Sequence, residues 1–211
     1  MYEVKHFVED RLDVQHDLIQ SHPLGLLICD DADGRHMANP IPFTLVRKSG
    51  LLGTLQAHLA RPNPQWLQLQ NVEECLVVFQ GEQAYISPNW YPTKKEHGKV
   101  VPTWNYVTVH VWGKPKVFDD QNWIRTQINA LTTQQEANQA TPWQVDDAPP
   151  QFTAAMLRGV VGVEIEITEI QGKWKVSQNR PTADIQGVRD GLASVGEVSM
   201  ATQVAERLVR E

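Results

Sequence analysis

The sequence predicts an antiparallel β-barrel with attached helices, which is an α+β fold in the broad sense. Short strand-like segments bounded by turn residues come first, and helical segments lie between and after them. The chain has neither an alternating βαβ pattern nor a GxGxxG motif, which disfavours a Rossmann fold. Its 211 residues, 41% of them hydrophobic, are enough for one large domain with an ample core.

The N-terminal part of the chain is predicted to be one helix followed by short strands. An amphipathic helix covers residues 10–21 and ends before Pro23. The strands are predicted at residues 24–29, 35–47 and 51–55. A tight hairpin is indicated at Ser49–Gly50. Because proline cannot donate to a strand ladder, Asn39–Pro42 must lie at an edge, a bulge or an opening of the sheet.

A short helix and two further strands are predicted in the middle of the chain. Asn63 is suited to cap the helix and Pro64 to occupy its first position, and the helix ends near Asn71. The two buried strands are predicted at residues 75–79 and 83–87, paired across a turn at 80–82.

A loop over residues 88–99 and a strand from Thr103 to about Phe118 carry a dense group of aromatic side chains. These are Trp90, Tyr91, Trp104, Tyr106 and Trp112. Such a group can fill a core or line a pocket for a flat ligand, and the residues alone favour the core. The density also exceeds what one barrel needs inside, so we expect part of it in a homodimer interface.

The C-terminal half is predicted to be mainly helical, with one strand region. Asp119 or Asp120 is suited to cap a helix that runs to about Asn138. The remaining predicted elements are a proline-rich connector at 141–150, a helix at 151–158, a strand at 163–170, its continuation after a turn in GKWKVSQNRP, and a helical segment at 182–211 interrupted near Gly196.

Two polar segments could bind a ligand. His58 and Arg61 lie between a strand end and the helix capped by Asn63, where free backbone N–H groups and basic side chains suit a phosphate monoester. An ordinary loop with solvent-facing charges explains this segment equally well. The second segment, Lys173–Arg180, carries amide side chains that suit the edge of a heterocycle, but on the residues alone an exposed polar strand end is the favoured interpretation.

Composition and residue spacing disfavour several classes of function. The net charge of −6 and the pI of about 5.6 give no basic face for nucleic acid. The seven histidines lack metal-ligand spacing, and no serine or cysteine lies in a nucleophile elbow. Cys29 and Cys75 lie in apolar strands, as thiols of a reducing compartment do, and neither a signal peptide nor a membrane-spanning segment is recognised. We therefore expect a cytoplasmic protein without a metal site.

An ordered set of strings resembles the PaiB family. These strings are PLG, ANPIPF, HLARPNPQW, FQGEQAYISPNWY, HGKVVPTWNYVTVHVWG, GKWKVSQNRP and DIQGV. They run from about Met1 to Leu192, and the tryptophan-rich strings are long enough to make a chance match improbable. The resemblance implies one domain over residues 1–192, followed by a helical extension over 193–211.

PaiB proteins are described as bacterial, flavin-binding negative transcriptional regulators, and they belong to the FMN-binding split barrels. The resemblance thus implies a six-stranded antiparallel split barrel, a homodimer, and FMN bound at the dimer interface. It implies His58 and Arg61 as phosphate ligands by their place after the third strand. By position and type, the full set of candidate flavin ligands is Asn39, His58, Arg61, Trp104, Asn105, Trp174, Gln178 and Arg180.

Three functions remain in competition at this stage. The first is a flavin-binding regulator, for which direct contact with DNA has no support in the net charge. The second is an FMN-dependent oxidoreductase that reduces a small substrate with a nicotinamide donor, because a shared fold does not decide function. The third is a haem-binding split barrel with His36 or His110 as the ligand, which lacks support from residue spacing.

Overall fold

A computed structural model describes residues 1–208 of the chain. The strands are β1 (Val8–Glu9), β2 (Leu24–Asp30), β3 (His36–Pro42), β4 (Thr44–Val46), β5 (Thr54–Ala60), β6 (Cys75–Ile86), β7 (Thr103–Phe118) and β8 (Val160–Lys175). The α-helices are α1 (Leu12–Ser21), α2 (Gln65–Leu69), α3 (Lys94–His97), α4 (Gln121–Glu136), α5 (Pro150–Arg158), α6 (Thr182–Ser194) and α7 (Val198–Leu208). Short 3₁₀ helices lie at Lys5–Phe7, Pro88–Trp90 and Val145–Asp147.

The strands within residues 1–208 pair into one sheet. Their order is β3-β2-β6-β7-β8-β5-β4, and β1 pairs with β8 outside this path. The pairs β2–β3, β2–β6, β4–β5, β5–β8 and β1–β8 are antiparallel. The mainly antiparallel sheet with helices confirms the predicted class. Its eight strands exceed the six that the resemblance implies, and closure into a barrel stays a prediction.

The chain divides into two compact units, which are described separately. The first unit contains Met1–Gln15, Gln80–Val109 and the chain from Gln171 onward. Its core includes Ile86, Tyr91, Val107, Val176, Val188, Leu192 and Val204. The second unit contains His16–Phe79 and His110–Ile170. Its core includes Leu27, Phe43, Leu55, Phe79, Ile124 and Val163, and the rings of Phe43 and Phe79 meet edge to face at 5.8 Å.

Several local predictions are confirmed. The proline-containing strand β3 lies at the end of the strand order, where a missing N–H does not break the ladder. Asp120 caps α4 by accepting a hydrogen bond from the backbone N–H of Asn122 at 2.9 Å. Asn63 accepts a hydrogen bond from the N–H of Gln65 at 3.0 Å, but α2 begins at Gln65 with Pro64 in the capping position, one residue later than predicted.

The two turns predicted inside long strands are wrong. The segment Gln80–Glu82 does not form a turn, because β6 continues through it as one strand of 12 residues. Gly172 does not end a strand either, because β8 runs without a break over 16 residues. A Cβ atom at Gly172 would lie 2.6 Å from the carbonyl oxygen of Glu9. This glycine therefore permits the close approach of β1 rather than a reversal of the chain.

The predicted hairpin at Ser49–Gly50 is only partly correct. Gly50 has a φ of 69°, which is the left-handed conformation expected of a turn glycine. Gly53 has a φ of 95°, so the turn extends further and β5 begins at Thr54 instead of Leu51. The predicted helical segment at 182–211 is divided into α6 and α7, and residues 209–211 lie outside the described part of the chain.

Candidate functional site

A cavity of about 160 Å³ in the first unit brings together three segments that are far apart in the sequence. They are the 3₁₀ helix Lys5–Phe7, the beginning of β7, and the end of β8 with the turn that follows it. The lining residues are Phe7, Thr103, Asn105, Lys175, Ser177, Asn179 and Arg180. Asn105 and Arg180 belong to the predicted ligand set. The cavity is smaller than the roughly 300–1,000 Å³ of most small-molecule pockets, so it suits one part of a ligand.

Lys175 is the half-buried cation on the β8 side of the cavity. Its Nζ donates to the hydroxyl oxygen of Thr103 at 2.5 Å and to the carbonyl oxygen of Trp104. Burial lowers the pKa of Lys175, and the nearby charges of Lys173 and Arg180 lower it further. An anion in the cavity would offset both effects, because it would favour the protonated amine.

Lys173 and Arg180 supply two further positive charges near Lys175. Lys173 is buried, donates to the carbonyl oxygen of Tyr2 at 2.8 Å, and lies 5.2 Å and 5.6 Å from the ring centres of Tyr2 and Tyr106. Neither Lys173, Lys175 nor Arg180 forms an ion pair with any carboxylate in residues 1–208. Three cations near one cavity without a carboxylate form an anion-binding environment.

The guanidinium group of Arg180 lies 4.9 Å from the ring centre of Tyr91. Tyr91 is 2% exposed, and its hydroxyl group has no hydrogen-bond partner of good geometry in the described chain. Burial raises the pKa of this hydroxyl, and the Arg180 charge opposes that rise. Within residues 1–208, the guanidinium N–H groups of Arg180 donate to no carboxylate or carbonyl oxygen.

Asn105 and Ser177 form a buried polar pair at the cavity wall. The Asn105 amide donates to the Ser177 hydroxyl at 2.9 Å, and that hydroxyl donates back to the Asn105 amide oxygen at 3.2 Å. Asn105 is fully buried and Ser177 is 4% exposed. Because buried polar groups are costly without partners, this pair ties β7 to the end of β8.

Two predicted flavin ligands use their polar atoms locally. The indole N–H of Trp174 donates to the Gln203 side chain of α7 at 3.1 Å, and Trp174 is 4% exposed. The Gln178 amide accepts from the N–H of Val176 at 2.8 Å and donates to the carbonyl oxygen of Trp174. These two side chains support the turn and α7, and contact of either with a flavin stays a prediction.

Trp104 is the exposed member of the aromatic group in the first unit. Its indole is 49% exposed, lies against Tyr85 with ring centres 6.2 Å apart, and donates to the Gln83 side chain at 3.0 Å. Trp90 differs, because it packs against Gly187 and Gly191 of α6, where an added Cβ would lie within 2.3 Å of Trp90 atoms. The aromatic group thus divides into a buried set and a surface pair formed by Trp104 and Tyr85.

Arg61, the predicted phosphate ligand of the second unit, has partners within that unit. Its guanidinium donates to both carboxylate oxygens of Asp119 at 3.1 and 2.5 Å, and to the carbonyl oxygens of Arg158 and Val160 at 2.9 and 3.1 Å. Asp119 raises the pKa of Arg61. A phosphate bound by Arg61 would compete with this pair, so the phosphate role of Arg61 stays a prediction.

His58 and Asn39 also have side-chain partners in the second unit. The His58 Nδ1 atom lies 2.8 Å from the Gln127 amide oxygen, and Gln127 is buried. The Asn39 amide donates to the Gln65 side chain at 3.0 Å. Each interaction holds a neighbouring helix against a strand, and neither tests a role in flavin binding.

The two candidate haem ligands, His36 and His110, each have a contact with a neighbouring side chain. His36 is exposed and lies 2.5 Å from Asp30, and His110 lies beside Trp112 with ring centres 5.8 Å apart. Residues 1–208 contain no group of three or more His, Cys, Asp or Glu side chains that could hold a metal ion. None of the helices in that range is long and apolar enough to cross a membrane.

The predicted ligand set does not include five of the cavity-lining residues, which are Phe7, Thr103, Lys175, Ser177 and Asn179. A usable signal existed for the last three, because the segment Lys173–Arg180 is crowded with basic and polar side chains at a strand end. Alternation along β8 also places Lys173 and Lys175 on one face. No local signal connects this face with Thr103 or Phe7, because those contacts span the length of the chain.

Comparison with known proteins decides the family. The model of a family described as "Putative FMN-binding domain" matches residues 1–169. The protease synthase and sporulation protein PAI 2 of Bacillus subtilis is 30% identical over 206 residues, covering 98% of this chain and 95% of its own.

The chain belongs to the PaiB family. An uncharacterized protein of Emericella nidulans is 31% identical over 96% of this chain and 94% of its own, so the PaiB relatives include fungal proteins. The cavity segment after residue 169 lies outside the family-model match but inside the alignments with these relatives.

Solved structures share the fold of this PaiB-family chain at low identity. The flavocytochrome Anf3 from Azotobacter vinelandii aligns with a TM-score of 0.61 at 11% identity, covering 82% of this chain and 72% of that one. An FAD and heme binding protein from Mycobacterium smegmatis aligns with a TM-score of 0.58 at 16% identity, covering 80% and 73%. At these identities the likeness concerns the fold alone.

Proposed function

We propose that this PaiB-family protein binds FMN as a homodimer, with the flavin phosphate in the cavity of the first unit. The observation that carries the proposal is the group of cations Lys173, Lys175 and Arg180, none of them paired with a carboxylate within residues 1–208. The FMN phosphate is a dianion, and a charge-assisted hydrogen bond to such a group contributes about 1.5–3 kcal/mol. The family description names FMN as the cofactor.

The cavity fits the phosphate end of FMN better than the whole molecule. Its volume of about 160 Å³ is below that of a complete small-molecule pocket. Arg180 and Lys175 would bind the phosphate, and Thr103 and Asn179 would add hydroxyl and amide groups. Bound FMN would supply redox chemistry through its ring, and these four residues would bind and orient it through the phosphate.

The homodimer is proposed because the remainder of the cofactor needs further protein surface. In the first unit, Trp104 and Tyr85 form an aromatic pair that is about half exposed. Exposed aromatic side chains of this kind are enriched at the centres of protein interfaces. A second copy seated there would bury the pair and extend the surface available to the flavin ring.

The test compares FMN with riboflavin, which lacks the phosphate. Arg180→Ala is expected to weaken FMN binding about ten- to a hundredfold while changing riboflavin binding less than about twofold. The matched control is Arg189→Ala, which removes an arginine of the same unit that pairs with the adjacent Asp190 and does not line the cavity. Fluorescence-quenching titration measures both affinities, and the melting temperature verifies folding.

Arg61→Ala separates this proposal from the alternative phosphate site in the second unit. If Arg61→Ala weakens FMN selectively and Arg180→Ala does not, the phosphate binds at Arg61 instead. If the purified wild-type protein shows no flavin absorbance and binds neither FMN nor FAD, the flavin proposal itself is wrong. Selective binding of FAD over FMN would retain the flavin and exclude the proposed cofactor identity.

We also propose that any role in negative transcriptional regulation does not involve tight direct binding to DNA. The net charge of −6 opposes binding to a polyanion, and the cation group lies at a small cavity, whereas a DNA-binding face is broad. The two buried thiols agree with a cytoplasmic setting, because disulfides are rare there.

A further inference from the structure

Ser177 has an unusual backbone conformation at the wall of the cavity. Its φ is 67°, and among residues 1–208 it is the only residue other than glycine with a positive φ. The left-handed region disfavours side chains that carry a Cβ atom, and glycine or asparagine normally occupies it. Residues held in such conformations tend to cluster at functional sites, and the surrounding structure must maintain them.

The contacts of Ser177 show what maintains this conformation. Its hydroxyl exchanges hydrogen bonds with the buried Asn105 amide at 2.9 and 3.2 Å. Its carbonyl oxygen accepts from the N–H of Arg180 at 3.0 Å, which closes a turn over residues 177–180. The side chain of Gln178 bonds to the backbone of Val176 and Trp174 inside the same turn.

The left-handed residue lies between the two cations that line the cavity. Lys175, the last residue of β8, precedes Ser177 by two residues, and Arg180 follows it by three. If Ser177 adopted an extended conformation, the chain would continue in the direction of β8, and the turn over residues 177–180 would point in another direction. The position of Arg180 relative to Lys175 therefore depends on the conformation of Ser177.

We propose that the Ser177–Asn105 pair is a positioning device for the anion site, holding Lys175 and Arg180 in the arrangement that binds a phosphate dianion. This inference rests on the proposed phosphate role of the cavity. It accounts for a serine where glycine would be less strained, because glycine lacks the hydroxyl that fastens the turn to β7. The pair acts through the two cations and needs no contact with the ligand.

Ser177→Gly separates positioning from a merely structural role. Glycine adopts a φ of 67° readily, but the substitution leaves the buried Asn105 amide without its partner, so the melting temperature is expected to fall by a few degrees while the protein stays folded. FMN binding is expected to weaken about fivefold, because the turn is no longer fastened to β7 and must become ordered when the ligand binds. The affinity for riboflavin is expected to change less than about twofold. The control is Ser194→Gly, which removes a hydroxyl that donates to Gly191 outside the cavity lining.

Asn105→Ala and the double variant complete the experiment. If the pair acts as a unit, the loss of FMN affinity in the double variant equals that of either single variant instead of their product. An unchanged preference for FMN over riboflavin in folded Ser177→Gly overturns the inference and leaves FMN binding intact. A melting temperature that falls while both flavins weaken equally also overturns it, in favour of a structural role.

Inorganic phosphate tests the site independently of the flavin. Stabilisation of the wild-type protein by phosphate, lost in Ser177→Gly, supports the positioning device even if FMN does not bind. If neither FMN nor phosphate affects the wild type, the proposed function and the inference both fail.

Discussion

The buried Glu9 carboxylate provides a quantitative test of how the first unit is held together. Glu9 is 3% exposed and accepts hydrogen bonds from Arg11 at 2.7 and 2.5 Å and from Arg207 of α7 at 2.6 Å. Burial alone raises the pKa of this carboxyl group. The hydrogen bonds and charges of the two guanidinium groups outweigh burial and lower the pKa from 4.5 to about 2.

Glu9→Gln keeps the size of the side chain and removes its charge. The difference between a pKa of 4.5 in the unfolded chain and about 2 in the folded chain corresponds to about 3 kcal/mol of stability at neutral pH. For a chain of this size, a loss of that magnitude lowers the melting temperature by roughly 6–12 °C. The control Glu3→Gln changes an exposed carboxylate of the same unit and is expected to have little effect.

The stabilisation by the ionised Glu9 carboxylate should depend on pH in a definite direction. Because the folded pKa is lower than the unfolded one, the stabilisation is fully present above pH 4.5 and is lost as the pH falls toward 2. The difference in unfolding free energy between wild type and Glu9→Gln should therefore shrink over this window in urea titrations. Equal stability of Glu9→Gln and Glu3→Gln at pH 7, or a difference that is unchanged at low pH, would refute the reasoning.

Three further predictions concern the thiols, the aromatic pair and DNA. Burial raises the pKa of Cys75 to about 12 and also raises the pKa of Cys29. A disulfide reagent at about pH 8 should therefore label neither thiol until denaturant is added, and rapid labelling of the native protein would contradict this prediction. Trp104→Ala should weaken the proposed homodimer more than about tenfold in light scattering on dilution, whereas unchanged association would place the interface elsewhere. Purified protein at nanomolar concentration should give no salt-sensitive, sequence-selective gel shift, and such a shift would establish direct DNA binding.

Much of the secondary structure follows from local signals in the sequence. The prolines of β3, the capping Asp120 and the turn glycine Gly50 each restrict the backbone at their own position, so their roles could be read without a partner. The alternation of valines with aromatic and polar side chains in β7 likewise predicts a strand. The family could also be recognised from the sequence, because its strings are long and rich in tryptophan.

Tertiary structure decided the lengths of the long strands and the partners of the polar side chains. Gly81 and Gly172 resemble turn residues locally, yet β6 and β8 continue through them because neighbouring strands provide hydrogen bonds. Arg61 pairs with Asp119, which lies 58 residues away, and Asn105 pairs with Ser177 across 72 residues.

The candidate site also depends on contacts between distant segments, which the sequence alone does not reveal. The sequence indicated that Lys173–Arg180 is polar and that Trp104 belongs to an aromatic group. An exposed strand end would explain the first segment, and a packed core would explain the second. Only the folded chain shows that cations from one segment and polar groups from the other share a cavity without a neutralising carboxylate. Local sequence specifies backbone preference at each residue, whereas the pairing of distant side chains depends on which surfaces meet when the core is buried.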